Sequence, residues 1–115
     1  MHNYKKIEVW QIAMDFNVEV YELCNGLPKD ERFRIIDQLT RASVSIAANI
    51  AEGFGRQHVK EIRQFLYISL GSAYESETLL LLIKRLGWML EKQYELLEKI
   101  IRIQKMLQSL IKRFS

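Results

Sequence analysis

Gln38 to Arg56 read QLTRASVSIAANIAEGFGR. Wound as an α-helix, this stretch carries two stripes. Gln38, Arg41, Ser45, Asn49, Glu52 and Arg56 recur three or four residues apart, so they line one side. Beside them Ile35, Leu39, Ala42, Ile46 and Ile50 make an apolar face of ordinary core width. A solvated helix face carries dense Glu and Lys. Here arginine, glutamate and amide side chains stand among Ala and Ser, which let a neighbouring backbone approach closely. The pattern predicts a buried or half-buried polar seam, either structural or a binding surface.

Three further helical segments flank this one. Residues 6–25 place Glu8, Asp15, Glu19 and Glu22 in one narrow arc. Ile7, Trp10, Met14, Val18 and Tyr21 lie on one flank of it, and Val9, Ile12, Phe16, Val20 and Leu23 on the other. So wide an apolar arc predicts burial on two sides. Gly26, Leu27 and Pro28 break the helix, and Pro28 restarts it where its missing N–H costs nothing. The second helix then spans residues 29–54, with Asp30 and Glu31 at its positive end. Gly53 and Gly55 are expected to end it in left-handed conformations.

A third helix over 59–86 turns Ile62, Phe65, Leu66, Ser69, Ala73, Ser76, Leu80 and Ile83 inward, and Gly87 stops it. A fourth over 90–113 turns Leu96, Ile100, Ile103, Leu107, Leu110 and Phe114 inward. Short connections make consecutive helices antiparallel neighbours. The expected fold is all-α, a single domain over 1–115 built as an antiparallel up-down-up-down four-helix bundle. Val9, Phe16, Leu81, Leu82, Leu97 and Ile101 are left over by these core stripes, and such a surplus predicts a homo-oligomer.

Composition agrees with a soluble globular chain: 49% hydrophobic and 27% charged residues, with one proline and five glycines among 115 residues. The uncharged run Phe65 to Tyr74 is too short and too polar to cross a bilayer. The start, MHNYKKIEVW, has no apolar stretch of the secretory kind, and one cysteine, Cys24, suits a reducing cytoplasm. Net charge is +3. Residues 1–27 carry two basic and four acidic side chains, whereas residues 88–115 carry six basic and three acidic.

With these segments laid out, the chain resembles the four-helix bundle proteins named for the intervening sequences of bacterial 23S ribosomal RNA genes. WQIAMDF, QLTRASVSIAANIAEGFGR, FLYISLGSAYESETLL and the Leu86-Gly87-Trp88 turn carry the resemblance in order and spacing. The SIxxNIAEGxxR segment is its most specific part, with Gly71, Ser72 and Glu75 in support. The resemblance implies assembly as a ring, a pentamer, and no established enzymatic activity. It also implies kinship with the accessory proteins of diversity-generating retroelements, basic pentameric rings that engage nucleic acid. Two departures stand out. Ala47 and Ala48 occupy positions where relatives often have proline, and His58 stands where a serine cap is common.

Each candidate site has two readings. In the seam, Arg41, Glu52 and Arg56 either pair across helices or subunits, with Glu75 the expected partner, or form an anion pocket through the planar arginine fork. Gly53-Phe54-Gly55 closes a helix rather than opening one after a strand, so it is a cap and not a phosphate loop. Arg41, Arg56, Lys60 and Arg63, then Arg102, Lys105, Lys112 and Arg113, are the candidate contacts to an RNA or DNA backbone. The alternative for the later group is a solvated face with pairs such as Glu95–Lys99 and Glu98–Arg102. No metal, cofactor or catalytic group is indicated: His2 and His58 stand apart, no Glu-x-x-His pair occurs, and Ser43, Ser45 and Ser72 have no histidine at helical spacing. The sequence therefore points to a non-enzymatic cytoplasmic binding protein, associated with nucleic acid or, alternatively, acting as a protein scaffold.

Overall fold

The computed structural model describes Asn3 to Ser115; His2 lies outside the described residues. Among these the fold is all-α, with four helices and no strand: α1 (Glu8–Asn25), α2 (Asp37–Phe54), α3 (Val59–Arg85) and α4 (Glu95–Arg113). Contacts pair α2 with α3, and α3 with α4, in opposite order along the chain. Ser72 meets Ser45 while Phe65 meets Gly53, so α3 descends as α2 rises. Gln104 reaches Glu77, Gln108 reaches Tyr74, and Arg63 reaches Phe114, which sets α4 against α3 in the same manner. An ion pair between Lys99 and Glu19 joins α4 to α1. Lys99 thus pairs across helices rather than with Glu95 of its own helix.

The core is a contiguous apolar cluster from all four helices. Phe16, Leu39, Ile46, Leu66, Leu80, Ile83, Ile100, Ile103 and Leu107 are fully buried within it. Burying one such side chain is worth roughly 1.5–3 kcal/mol, so this cluster is the main driving force for the fold. Which flank of α1 serves the core differs from the sequence reading. Val9 and Phe16 are buried at 1% and 0% exposure, so they belong to the core and not to a surplus. The uncovered flank is Met14, Val18 and Tyr21, half or more exposed in the last two. Both flanks are apolar, and hydrophobicity alone cannot rank them; Ala13 between Val9 and Phe16 is likewise fully buried. Leu81, Leu82 and Ile101 are exposed as expected, while Leu97 is half-buried.

The helix ends also differ. Before α1, Tyr4–Lys6 form a 3₁₀ turn capped by the Asn3 side chain, so the α-helix begins two residues late. The expected helix over 29–54 is three pieces: a 3₁₀ turn at Lys29–Glu31, a π-helical turn at Arg32–Ile36, and α2. The wider turn carries Ile35 into the core while Arg32, Phe33 and Arg34 stay outside. A similar 3₁₀ turn at Glu91–Gln93 precedes α4, its Leu90 amide held by the Gln93 side chain. Gly53 and Gly55 are not left-handed; among the described residues only Gly87 has positive φ, at 80°. Helix α2 passes through Ala47 and Ala48 without interruption.

A basic end and its cleft

The close approach of α2 to α3 fixes where the candidate cations go. Small residues face each other along this contact: Ala42, Ser45, Asn49 and Gly53 on α2, and Ser69, Ser72, Ala73 and Ser76 on α3. A Cβ on Gly53 would lie 2.9 Å from Phe65 Cβ and 3.3 Å from the Ile62 carbonyl, closer than packed atoms tolerate. Hydrogen bonds stitch the same contact. The buried Ser69 hydroxyl donates to the Ile46 carbonyl at 2.8 Å, and Ser72 donates to Ser45 Oγ at 2.8 Å. Asn49 Nδ2 donates to the same Ser45 oxygen and to the Ser45 carbonyl, both at 2.8 Å.

The polar stripe read from the sequence is therefore only partly a seam. Ser45 and Asn49 are half-buried within it. Gln38, Arg41, Glu52 and Arg56 are exposed, and so is Glu75 on α3. Arg56, just past the end of α2, pairs with Glu52 of that helix at 2.9 Å and not with Glu75. The Arg56 guanidinium also lies over the Phe65 ring, 4.8 Å from its centroid. The signal for this seam in the sequence was the serine spacing of α3, Ser69, Ser72 and Ser76, which repeats every three or four residues opposite the stripe.

Several candidate cations gather at one end of the bundle. There the start of α1, the end of α2, the start of α3 and the end of α4 come together. Arg63 donates to the Phe114 carbonyl at 2.8 Å, tying α3 to the end of α4. The Phe54 and Phe114 rings meet edge to face, 5.6 Å between centroids. Arg56, Lys60, Lys112 and Arg113 are exposed around this junction, joined by Lys5 and Lys6 from the turn before α1, which the sequence reading did not single out. Arg41, Arg102 and Lys105 lie elsewhere. Arg41 is thirteen residues from Phe54 at the end of α2, roughly 20 Å along the helix, and Arg102 is eleven residues from Arg113, roughly 16 Å.

A half-open cleft of about 420 Å³ sits in the basic end. Val9, Phe54, Met106, Leu110 and Phe114 give it an apolar lining, and Glu8, Ser109 and Arg113 add polar groups. No cluster of His, Cys, Asp and Glu among the described residues could hold a metal ion, and no helix is long and apolar enough to cross a membrane. Cys24 is buried on α1, where desolvation pushes its thiol up to about 11. It is a packing residue of the core.

Comparison with known proteins agrees with this architecture. Residues 5–109 match the family model described as 23S rRNA-intervening sequence protein. A crystal structure of a protein with unknown function from the S23 ribosomal protein family of Bacteroides thetaiotaomicron superposes with a TM-score of 0.83. It is 31% identical, over 90% of this chain and 98% of that one. No curated protein matches. With the matched residues spanning all four helices and the fold shared at this level, the chain belongs to the 23S rRNA-intervening sequence protein family.

Proposed function

We propose that this chain is a non-enzymatic, cytoplasmic accessory protein that binds the phosphate backbone of RNA or DNA. In this reading its up-down-up-down bundle assembles as a homo-oligomeric ring, a pentamer. The observation that carries the reading is the concentration of cations at one end: Lys5, Lys6, Arg56, Lys60, Arg63, Lys112 and Arg113 against Glu8, Glu52 and Glu61. A modest net charge becomes a local field when it is gathered in this way, and symmetry multiplies it. Five copies at +3 carry about +15. Lys60, Lys112 and Arg113 have no ion pair among the described residues and are available to phosphate, whereas Arg63 is engaged by the Phe114 carbonyl. The mechanism is electrostatic and independent of sequence.

Assembly is supported by the uncovered flank of α1. Met14, Val18 and Tyr21 share it with Asn17, whose side-chain oxygen is buried with no hydrogen-bond donor. The exposed apolar stripe of Met14, Val18 and Tyr21 is the kind of surface that a second chain covers. A scaffold role toward a protein partner is the second reading, favoured by Phe33, which is 78% exposed.

The test is fluorescence anisotropy of a labelled structured RNA and of matched duplex DNA, with the protein's mass in solution measured alongside. Micromolar binding by an oligomer, weakening steeply from low to physiological salt, is expected. Binding of neither polymer by a folded oligomer overturns the nucleic-acid reading and leaves the scaffold.

A further inference from the structure

Phosphate binding alone explains the rim of the basic end but not its interior. We infer that the cleft there receives one unpaired nucleobase from the strand held by the surrounding cations. The inference rests on the nucleic-acid reading above and adds to it a preference for single-stranded over paired segments. The cleft, at about 420 Å³, lies within the size range of small-molecule sites. Its apolar lining includes the half-buried Phe114 ring, held edge to face by the buried Phe54, an aromatic surface of the kind on which bases stack. Its polar groups are of both kinds: the Glu8 carboxylate accepts, Arg113 donates, and the Ser109 hydroxyl does either. A purely apolar ligand would leave these three unused. A base presents donors and acceptors at its edge and an apolar face, so it matches both parts of the lining.

Charge complementarity argues for the same occupant. Arg113 belongs both to the cleft and to the cationic rim, with Lys112 beside it in the chain and Arg63 tied to Phe114. A phosphate on the rim would therefore hold its own nucleoside at the cleft mouth. Bases in a duplex are stacked and paired and cannot enter without being extruded, which costs a few kcal/mol. Electrostatics alone predicts the opposite preference, because a duplex carries the denser charge.

The experiment compares the full chain with Ser109→Trp. Ser109 is exposed on α4 and lines the cleft, so the indole would fill it without entering the core. Anisotropy is read with a short single-stranded RNA and with a duplex, at two salt concentrations. Base–aromatic stacking is worth roughly 1–3 kcal/mol, so Ser109→Trp is expected to weaken single-strand binding about 5- to 150-fold. Duplex binding and both salt slopes should be unchanged. A 2-aminopurine placed in the single strand should change its emission on binding to the unaltered protein and lose that change with Ser109→Trp. Equal effects of the variant on both polymers, no effect on either, or a silent 2-aminopurine in the bound strand would overturn the inference while the salt-dependent phosphate reading stood. Absence of binding by the unaltered protein removes both.

Discussion

At one end of the molecule, seven cationic side chains face three acidic ones: Lys5, Lys6, Arg56, Lys60, Arg63, Lys112 and Arg113 with Glu8, Glu52 and Glu61. At the other, six meet six. Lys29, Arg32, Arg34, Lys84, Arg85 and Lys92 are interspersed with Glu22, Asp30, Glu31, Asp37, Glu91 and Glu95. The far end also uses its charges locally. Arg34 pairs with Glu31 at 2.7 Å, Arg32 covers the Phe33 ring, and Lys84 covers Tyr94 at 4.7 Å. The ends differ in backbone too. The basic end closes through a side-chain-to-carbonyl bond, an aromatic pair and the 3₁₀ turn before α1, the far end through two 3₁₀ turns, a π turn and one left-handed glycine. A net charge of +3 thus conceals a neutral end and a basic one, and it is the meeting of four helix termini, not the charge total, that concentrates the cations.

The strongest way to break this comparison is to reverse charge at each end in turn. Lys60→Glu with Lys112→Glu should weaken RNA binding by well over tenfold at low salt and flatten its salt dependence by about two phosphate contacts. The matched pair at the far end, Lys29→Glu with Lys92→Glu, should change affinity less than about threefold. Equal losses from the two pairs would mean that the ends do not differ in function.

Backbone substitutions sharpen the structural half of the contrast. Gly53→Leu forces a side chain into the space held by Phe65 and the Ile62 carbonyl, and should cost about 3 kcal/mol in urea unfolding. Gly87→Ala meets open space and is strained only by its φ of 80°, at about 1 kcal/mol. The order of the two midpoints checks the claim. Reversed, they would mean that the α2–α3 approach is looser than the structure has it.

A third measurement concerns the far half of α1. Burial raises the Cys24 thiol from 9.0 to about 11, so the folded protein keeps its proton longer than the unfolded chain does. Above about pH 9 the unfolded state binds fewer protons, and stability falls as pH rises toward 11. Urea midpoints at a series of alkaline pH values should fall by an amount worth at most about 3 kcal/mol. Cys24→Ala should remove that part of the decline. A decline of the same size in both proteins would assign it to other groups.

Much of this fold is legible in the sequence, because helix period and breakers are local signals. The QLTRASVSIAANIAEGFGR stretch gives α2 and its apolar face directly, and Gly87 ends α3 as its position suggests. What escapes is anything that depends on which of two acceptable neighbours is met. Val9 and Met14 lie on apolar flanks that look equivalent until α2 and α4 take their places. Gly53 looks like a cap and is a contact. Of the candidate site, the individual cations could be named, but their grouping could not. Lys60 and Lys112 are 52 positions apart and belong to one end only because Arg63 and Phe114 meet, while Arg102 and Lys105, nearer in sequence to Lys112, do not join it.

The contact between α2 and α3 bears on how the chain finds its shape. Only residues 55–58 separate these helices, so closing the loop between them removes less chain entropy than any contact between α1 and α4. The pairing of Ser45 with Ser72 and of Gly53 with Phe65 can therefore form while the termini are still searching. This hairpin is the expected folding nucleus. Substitutions along it should slow folding, and those in α1 should mainly hasten unfolding. On that order the basic end would be assembled last, when the start of α1 and the end of α4 arrive on a hairpin already formed.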